Sequence, residues 1–189
     1  MSTSHLPSFT ALDESGAIIG FPNTQHIYEE KLLDLVETGQ LQDVGQKNGI
    51  NIEKVLSLQP DVMMAYTMGS SMEQLKPLQK AGIPILLNSD YLENSPLGRA
   101  EWLKLSAVLL DKQKEGDSIF QVIEKNYQEI RNEVAEVEDK PSVMTGLMYG
   151  DVWYVPGGES YAAQFIEDAG GNYLWSSRFV SNWPEDNVG

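Results

Sequence analysis

The stretch from Gly98 to Val137 holds hardly a breaker apart from Gly116, and this run constrains the chain most. Trp102, Leu105, Val108 and Leu109 recur three or four apart before Asp111. Ile119, Val122, Ile123, Asn126, Tyr127, Ile130, Val134 and Val137 continue the rhythm after it. That spacing is one face of a helix. A single helix over the whole run would be roughly 60 Å long at about 1.5 Å per residue. A kink or break near Asp111 to Lys114 is therefore expected. Two architectures follow: a two-helix surface hairpin, or a rigid connector between two lobes.

On either side the pattern changes to short apolar runs alternating with amphipathic ones, which is the pattern of α/β units. Pro7 to Leu12 reads as one helical turn with Pro at its start. Ala17 to Gly20 reads as a short strand, and Tyr28 to Thr38 as a helix stopped by Gly39. The clearest unit is Asn51 to Leu87. Asn51 caps a helix over Ile52–Leu58, and Gln59-Pro60-Asp61 breaks it. Asp61 to Tyr66 is a buried strand. Gly69-Ser70-Ser71 turns the chain into a helix over Met72–Lys80, which Pro77 kinks or starts. Gly82 stops that helix before a strand over Pro84–Leu87. The crossover is long enough to favour a parallel pair. After Lys140-Pro141 come strands over Ser142–Tyr149 and Val152–Val155, a helix over Ser160–Ala169, and Gly170-Gly171. Residues 142–189 alone are too few for a full second sheet.

Composition narrows the functional classes. The 189 residues carry a formal net charge of −15, with a sequence pI of about 4.4. Nucleic-acid binding needs clustered Lys and Arg, and an anionic membrane surface attracts basic segments, so both partners are disfavoured. There is no cysteine, which removes thiolate catalysis and cysteine-ligated metal sites. No apolar run approaches the roughly 20 residues that span a bilayer. No signal peptide is visible at Met1. The sequence has no Gly-x-Ser-x-Gly elbow, P-loop or Gly-x-Gly-x-x-Gly fingerprint. The Gly157-Gly158 pair ahead of a helix could bind an anion through its free amides, or be an ordinary helix-entry turn. His5 and His26 are the only histidines, and they show no metal-ligand spacing.

Four segments carry a family resemblance. Asn51-Ile-Glu-Lys-Val-Leu-Ser-Leu-Gln-Pro-Asp-Val62 is the first, and Ala81-Gly82-Ile83-Pro84 the second. Leu97-Gly98-Arg99-Ala100-Glu101-Trp102 is the third. Pro156-Gly157-Gly158-Glu159-Ser160-Tyr161, followed by Asp168-Ala169-Gly170-Gly171-Asn172, is the fourth. In this order they resemble the substrate-binding proteins of ABC importers for ferric siderophores, haem and cobalamin. The resemblance implies an α/β fold of two Rossmann-like lobes with parallel sheets joined by a long connecting helix, the second lobe incomplete. The expected division is 1–96 for the first lobe, 97–139 for the connector and 140–189 for the partial second lobe. Met1 to His5 looks like the family's Ser-containing loop without its strand. Truncation at both ends is the expectation, with an export signal and any lipid anchor outside this chain.

The resemblance further implies an extracytoplasmic binding protein, periplasmic or at the cell surface. It would hold its ligand between two lobes, hand it to a permease, and catalyse nothing. No cofactor and no resident metal are expected. Ligands bind at loops after the C-terminal ends of parallel strands. The candidate loops are Ser2–His5, Phe21–Gln25, Tyr66–Ser71, Asn88–Ser95, Tyr149–Trp153 and Trp175–Trp183. Their candidate ligand contacts are Ser4 and His5 in the first loop and the aromatics Phe21, Tyr66, Tyr91, Tyr149 and Trp153, whose flat faces suit a large flat ligand. Each aromatic has the alternative of plain core packing. Arg99 and Arg178 are candidates for anionic ferric complexes. Arg99 could instead brace its helix through Glu101 or Asp90. Glu73 falls beside the glutamate with which such proteins dock to the permease, or is a solvated first-turn residue favoured by the helix dipole. A cofactor-handling enzyme or a ligand-sensing module on the same scaffold are the alternative functions.

Overall fold

A computed structural model describes residues 1–46, 49–66 and 72–177. In chain order the elements begin with α1 (Leu6–Ala11), β1 (Gly20–Phe21), α2 (Glu30–Glu37), β2 (Gln42–Asp43), β3 (Gly45–Gln46) and β4 (Gly49–Ile50). Next come α3 (Ile52–Leu58), β5 (Met63–Ala65), α4 (Met72–Lys80) and β6 (Ile85–Leu87). Three helices follow: α5 (Pro96–Glu101), α6 (Leu103–Leu109) and α7 (Gln113–Ala135). The last are β7 (Ser142–Val143), β8 (Leu147–Tyr149), β9 (Val152–Tyr154), α8 (Tyr161–Asp168) and β10 (Asn172–Tyr173). The chain divides into two units. The first takes Met1–Asp90 with Leu103–Gly116, and the second takes Tyr91–Trp102 with Asp117 onward. The run expected as a connector, 97–139, is thus shared between them.

Unit 1 is built on two parallel pairs, β1 with β2 and β5 with β6. The β5–α4–β6 crossover has the predicted form, with Met63 opposite Ile85 and Ala65 opposite Leu87. Local chemistry explains its edges. The Asn51 side chain accepts a hydrogen bond from the Lys54 amide at 3.0 Å, which caps α3. Gln59 then takes a left-handed φ of 49°, which ends the helix one residue before Pro60. Pro77 lies inside α4 and leaves one carbonyl of the preceding turn without its helical partner. Gly39 turns the chain out of α2 with φ 73°.

Successive strand residues face opposite ways, so each strand feeds two layers of core. Met64 of β5 joins Leu6, Phe9, Phe21, Leu32 and Leu41. Its neighbour Ala65 joins Val44, Val55, Leu75, Leu78 and Ile83. Helices cover both faces, as parallel sheets require. One sequence expectation shifts here. Ala17 to Gly20 is not a strand: residues Ser15–Ala17 form a 3-10 turn, and extended pairing starts only at Gly20.

The long helical run is interrupted where the spacing predicted. Asp111 adopts a φ of 55°, and α7 starts afresh at Gln113. Gly116 is no breaker. It sits inside α7, and a Cβ there would run into the Cβ of Ala107 on α6. The glycine is required by close helix approach within unit 1.

Unit 2 pairs β7 with β10 in parallel, with α8 in the chain between them. The single strand expected over Ser142–Tyr149 is two strands, separated at residues 144–146. Its second half, β8, turns back at Gly150 (φ 60°) and pairs antiparallel with β9, Met148 opposite Trp153. A positive φ at the first residue of a two-residue loop suits a hairpin turn. Ser160 caps α8 by accepting from the Ala163 amide at 3.2 Å. Among the described residues no helix is long and apolar enough to cross a membrane.

Candidate functional site

Unit 1 gathers a buried polar string at the C-terminal ends of β5 and β6. The Ser2 amide donates to Nδ1 of His5 at 3.3 Å, so Nε2 carries the ring proton. Nε2 then donates to Asp90 at 3.3 Å. The Asp90 amide donates in turn to the Asn88 side chain at 3.0 Å, and Asn88 reaches the sulfur of Met64. His5, Asn88 and Asp90 are all buried. Burial is the main influence on His5 and lowers its pKa. The Asp90 carboxylate opposes that shift, and the terminal amine adds to it. Tyr66 follows β5, meets His5 edge-on at a centroid distance of 6.4 Å, and remains 39% exposed. Ser4 is exposed on the same turn.

The other unit 1 candidates divide by burial. Phe21, at the end of β1, is committed to the core and is 2% exposed. The loop after it is held from beneath by Asp43, whose carboxylate accepts from the amides of Asn23, Thr24 and Gly45 at 2.9, 3.2 and 2.7 Å. Burial pushes the Asp43 carboxyl upward, but these amides and the Thr24 hydroxyl outweigh it and hold the group below the usual aspartate range. Glu73 lies in the first turn of α4, largely exposed, and pairs with Lys76 at 2.6 Å. The Gly69-Ser70-Ser71 turn lies outside the described residues, as do Arg178 and Trp183.

Unit 2 presents two aromatic groups. In the first, Arg99 at the end of α5 stacks its guanidinium over Tyr161, 4.8 Å from the ring centre. Of the two bracing partners weighed for Arg99, Glu101 and Asp90, the second is bonded to His5. Tyr161 stacks on Phe165, and Phe165 meets Tyr127 at 6.2 Å. The Tyr127 hydroxyl donates to Asp168 at 2.6 Å, and Arg131 pairs with the same carboxylate at 3.1 Å. Burial first, then the Asp168 bond, raise the Tyr127 pKa far above its ordinary value. In the second group Trp153 meets Trp175 edge-on at 5.4 Å, and Tyr173 lies 5.8 Å from Trp175. Trp153 is 42% exposed and Tyr149, on the same hairpin, 76%. Tyr91 is exposed on a 3-10 turn over residues Asp90–Leu92.

Sequence reading did not single out Tyr161 as a functional aromatic. Its signal was its place one residue after the Ser160 cap, on the first turn of a helix whose next turn carries Phe165. Among the described residues no group of three or more His, Asp or Glu could hold a metal ion.

Comparisons with known proteins bear on the family and the fold. The family model described as "Periplasmic binding protein" matches residues 2–182. An uncharacterized lipoprotein of Methanocaldococcus jannaschii is 27% identical over 88% of this chain and 41% of its own length. A vitamin B12-binding protein of Vibrio campbellii is 25% identical over 72% of this chain and 48% of its own. Among solved structures, a periplasmic heme-binding protein of Vibrio cholerae superposes with a TM-score of 0.74 at 15% identity, covering 92% of this chain and 63% of that one. A periplasmic heme-binding protein of a Roseiflexus species gives a TM-score of 0.67 at 20% identity, over 90% and 62%. The chain thus spans less than half the length of these curated relatives and under two thirds of these structures.

Proposed function

The chain belongs to the periplasmic binding protein family, and from that premise we propose that it is the extracytoplasmic solute-binding part of an ABC importer. Its ligand class is a ferric siderophore, haem or cobalamin, handed on to a membrane permease. The observation that carries the ligand class is the set of solvent-facing aromatics at strand ends and on the β8–β9 hairpin: Tyr66, Tyr149 and Trp153. Flat apolar faces with a polar edge suit a large conjugated or catecholate ligand. Tyr91 and Ser4 are exposed beside such elements and complete the proposed contacts. Arg99 supplies cationic charge that is already oriented by Tyr161 and suits an anionic complex. His5 serves as a support, because both its ring nitrogens are engaged within the protein. The run 97–139 is proposed to tie the two lobes of the whole protein together. Glu73 is the proposed permease contact, a rim charge that sets orientation and encounter rate.

A tryptophan-fluorescence titration of the chain with several ferric siderophores, haem, cobalamin and a zinc salt tests this reading. Saturable quenching by one iron or tetrapyrrole ligand is expected, and Trp153→Phe should weaken both the signal and the affinity. Glu73→Arg should leave that titration unchanged while lowering uptake by a permease-containing vesicle. A folded chain that ignores the whole panel would overturn the ligand class.

A further inference from the structure

A second polar knot of unit 1 lies at the C-terminal ends of β1 and β2, and it differs in kind from the His5 string. The two strands run parallel, with Phe21 opposite Asp43. Two loops therefore leave the sheet side by side. The first passes through Pro22, Asn23 and Thr24, and the second turns at Gly45 into the β3–β4 pair. One carboxylate serves both. Oδ1 of Asp43 accepts from the amides of Asn23 and Gly45, at 2.9 and 2.7 Å. Oδ2 accepts from the Thr24 amide at 3.2 Å and from the Thr24 hydroxyl at 3.3 Å. Backbone amides that converge on one point form a receptor for an anion. Here the protein's own side chain fills it.

The surroundings show what the carboxylate maintains. Asn23 has a φ of 59°, a left-handed conformation that few side chains adopt unaided. A Cβ at Gly45 would lie 2.8 Å from the Asn23 amide nitrogen and equally close to its side-chain oxygen. The two loops thus touch where only glycine leaves room. Beneath them the ladder is ordinary: the amides of Gln42 and Val44 donate to the carbonyls of Ile19 and Phe21, both at 3.0 Å. None of those bonds uses the Asp43 side chain, so the carboxylate holds the loops and not the sheet. Phe21 is buried and offers no ring to a ligand. Asn23 and Gln25 are exposed, and their amide side chains both donate and accept.

We propose that Asp43 is the positioning residue of the unit 1 ligand rim: as an internal anion it locks the loops after β1 and β2 together and holds Asn23 and Gln25 toward the ligand. The assignment rests on the reading that ligand meets the strand ends of this unit. Asp43 itself touches no ligand. Its effect is to order the rim in advance, which spares that ordering cost on binding.

The test is chemical rescue of the full chain carrying Asp43→Ala, with formate in place of the lost carboxylate. Amide exchange at Asn23, Thr24 and Gly45 should become about tenfold faster or more, while Gln42 and Val44 exchange as before. Formate should restore the three amides saturably, and chloride at equal ionic strength should not. Asp43→Asn keeps one oxygen acceptor and the side-chain shape should the alanine variant fail to fold, and its exchange should lie between the two. Full protection in both variants would overturn the proposal, as would formate acting no better than chloride. Loss of protection at Gln42 and Val44 as well would overturn it too, since the carboxylate would then support the sheet. Affinity is read with cyanocobalamin and with a ferric tris-catecholate complex. Asp43→Ala should weaken whichever binds by about tenfold, with recovery in formate. Asn23→Gly combined with Gln25→Ala, which keeps the left-handed turn, should weaken it similarly while the Thr24 and Gly45 amides stay protected. A probe bound equally well by either variant would overturn the positioning role. Should the unaltered chain bind neither probe, the ligand reading falls, and the rescue result alone carries or sinks the clamp.

Discussion

Unit 1 and unit 2 both contain a parallel strand pair with a helix in the chain between its strands, yet they are held by different forces. In unit 1 the β5–β6 pair is packed through two apolar clusters, and Leu32 and Leu78 are fully buried. In unit 2 the hairpin of β8 and β9 leaves Leu147, Met148 and Tyr149 open to solvent. Its helices α5, α7 and α8 are joined instead by Arg99 on Tyr161 and by the Tyr127–Asp168–Arg131 cluster. The difference teaches that similar apolar strands can be core or surface depending on what covers them. Burial supports the first unit, and directional polar and aromatic contacts organise the second.

The largest expected effect comes from cutting into that contrast directly. Leu78→Ala should cost unit 1 about 2–5 kcal/mol, the range for a fully buried leucine whose site cannot collapse. Leu147→Ala, on the exposed hairpin, should stay within about 0.5 kcal/mol. The tryptophans offer a built-in probe, since Trp102, Trp153 and Trp175 all lie in unit 2. In denaturant unfolding, Leu78→Ala should move the far-ultraviolet circular dichroism transition more than the fluorescence transition. Equal costs for the two leucines would break the comparison.

Asp168→Ala sharpens it from the other side. The carboxylate is largely buried and serves the Tyr127 hydroxyl, Arg131 and, at 3.1 Å, Gln164. Its loss leaves these donors without their acceptor, at a cost of about 2 kcal/mol. Here the fluorescence transition should move most. Asp168→Asn should recover part of the loss, because an amide oxygen still accepts from Tyr127. A silent Asp168→Ala would mean that unit 2 is held by packing after all.

The two units also differed in how far the sequence revealed them. Asn51, Pro60 and Gly82 punctuate unit 1 so plainly that α3, β5, α4 and β6 fall close to their predicted places. Each of those signals acts within a few residues of itself. The break at Asp111 was legible for the same reason, because the apolar face loses phase there. Gly116 was misread because its cause is Ala107, on the neighbouring helix. The hairpin was missed although Gly150-Asp151 between apolar runs is a two-residue turn signal. The strand expected over Ser142–Tyr149 had absorbed its first half. Site partners were the least legible. His5 and Asp90 are 85 positions apart, and nothing near Asp90 in sequence points to a histidine. Arg99 was singled out as a candidate cation, but the ring it stacks on, Tyr161, comes from a different helix.

The smallest expected effect is a split in pH response, and it follows from which groups each unit buries. In unit 1 the folded state lowers the pKa of His5 and of the Met1 amine, burial being the leading cause for both. A base with a depressed pKa is taken up as a cation more readily by the unfolded chain. Its contribution to stability is therefore complete above the unfolded value, 8.0 for the amine and 6.5 for His5. It declines as pH falls below that value. In unit 2 the folded state raises the pKa of Tyr127, through burial and then Asp168, and of Tyr173, through burial. An acid with a raised pKa gives up its proton more readily when unfolded. Its contribution is complete below the ordinary tyrosine value of 10.0 and is lost as pH rises beyond it. Unit 1 should therefore weaken first on moving from pH 8 toward 5, and unit 2 first above pH 10. Amide exchange read separately in β5 and α8 checks this. His5→Gln with an acetylated Met1 should flatten the acid limb, and Tyr127→Phe the alkaline one. An acid limb that persists in the doubly altered chain would assign it to the carboxylates, Asp43 foremost, whose lowered pKa places its own loss nearer pH 4 and below.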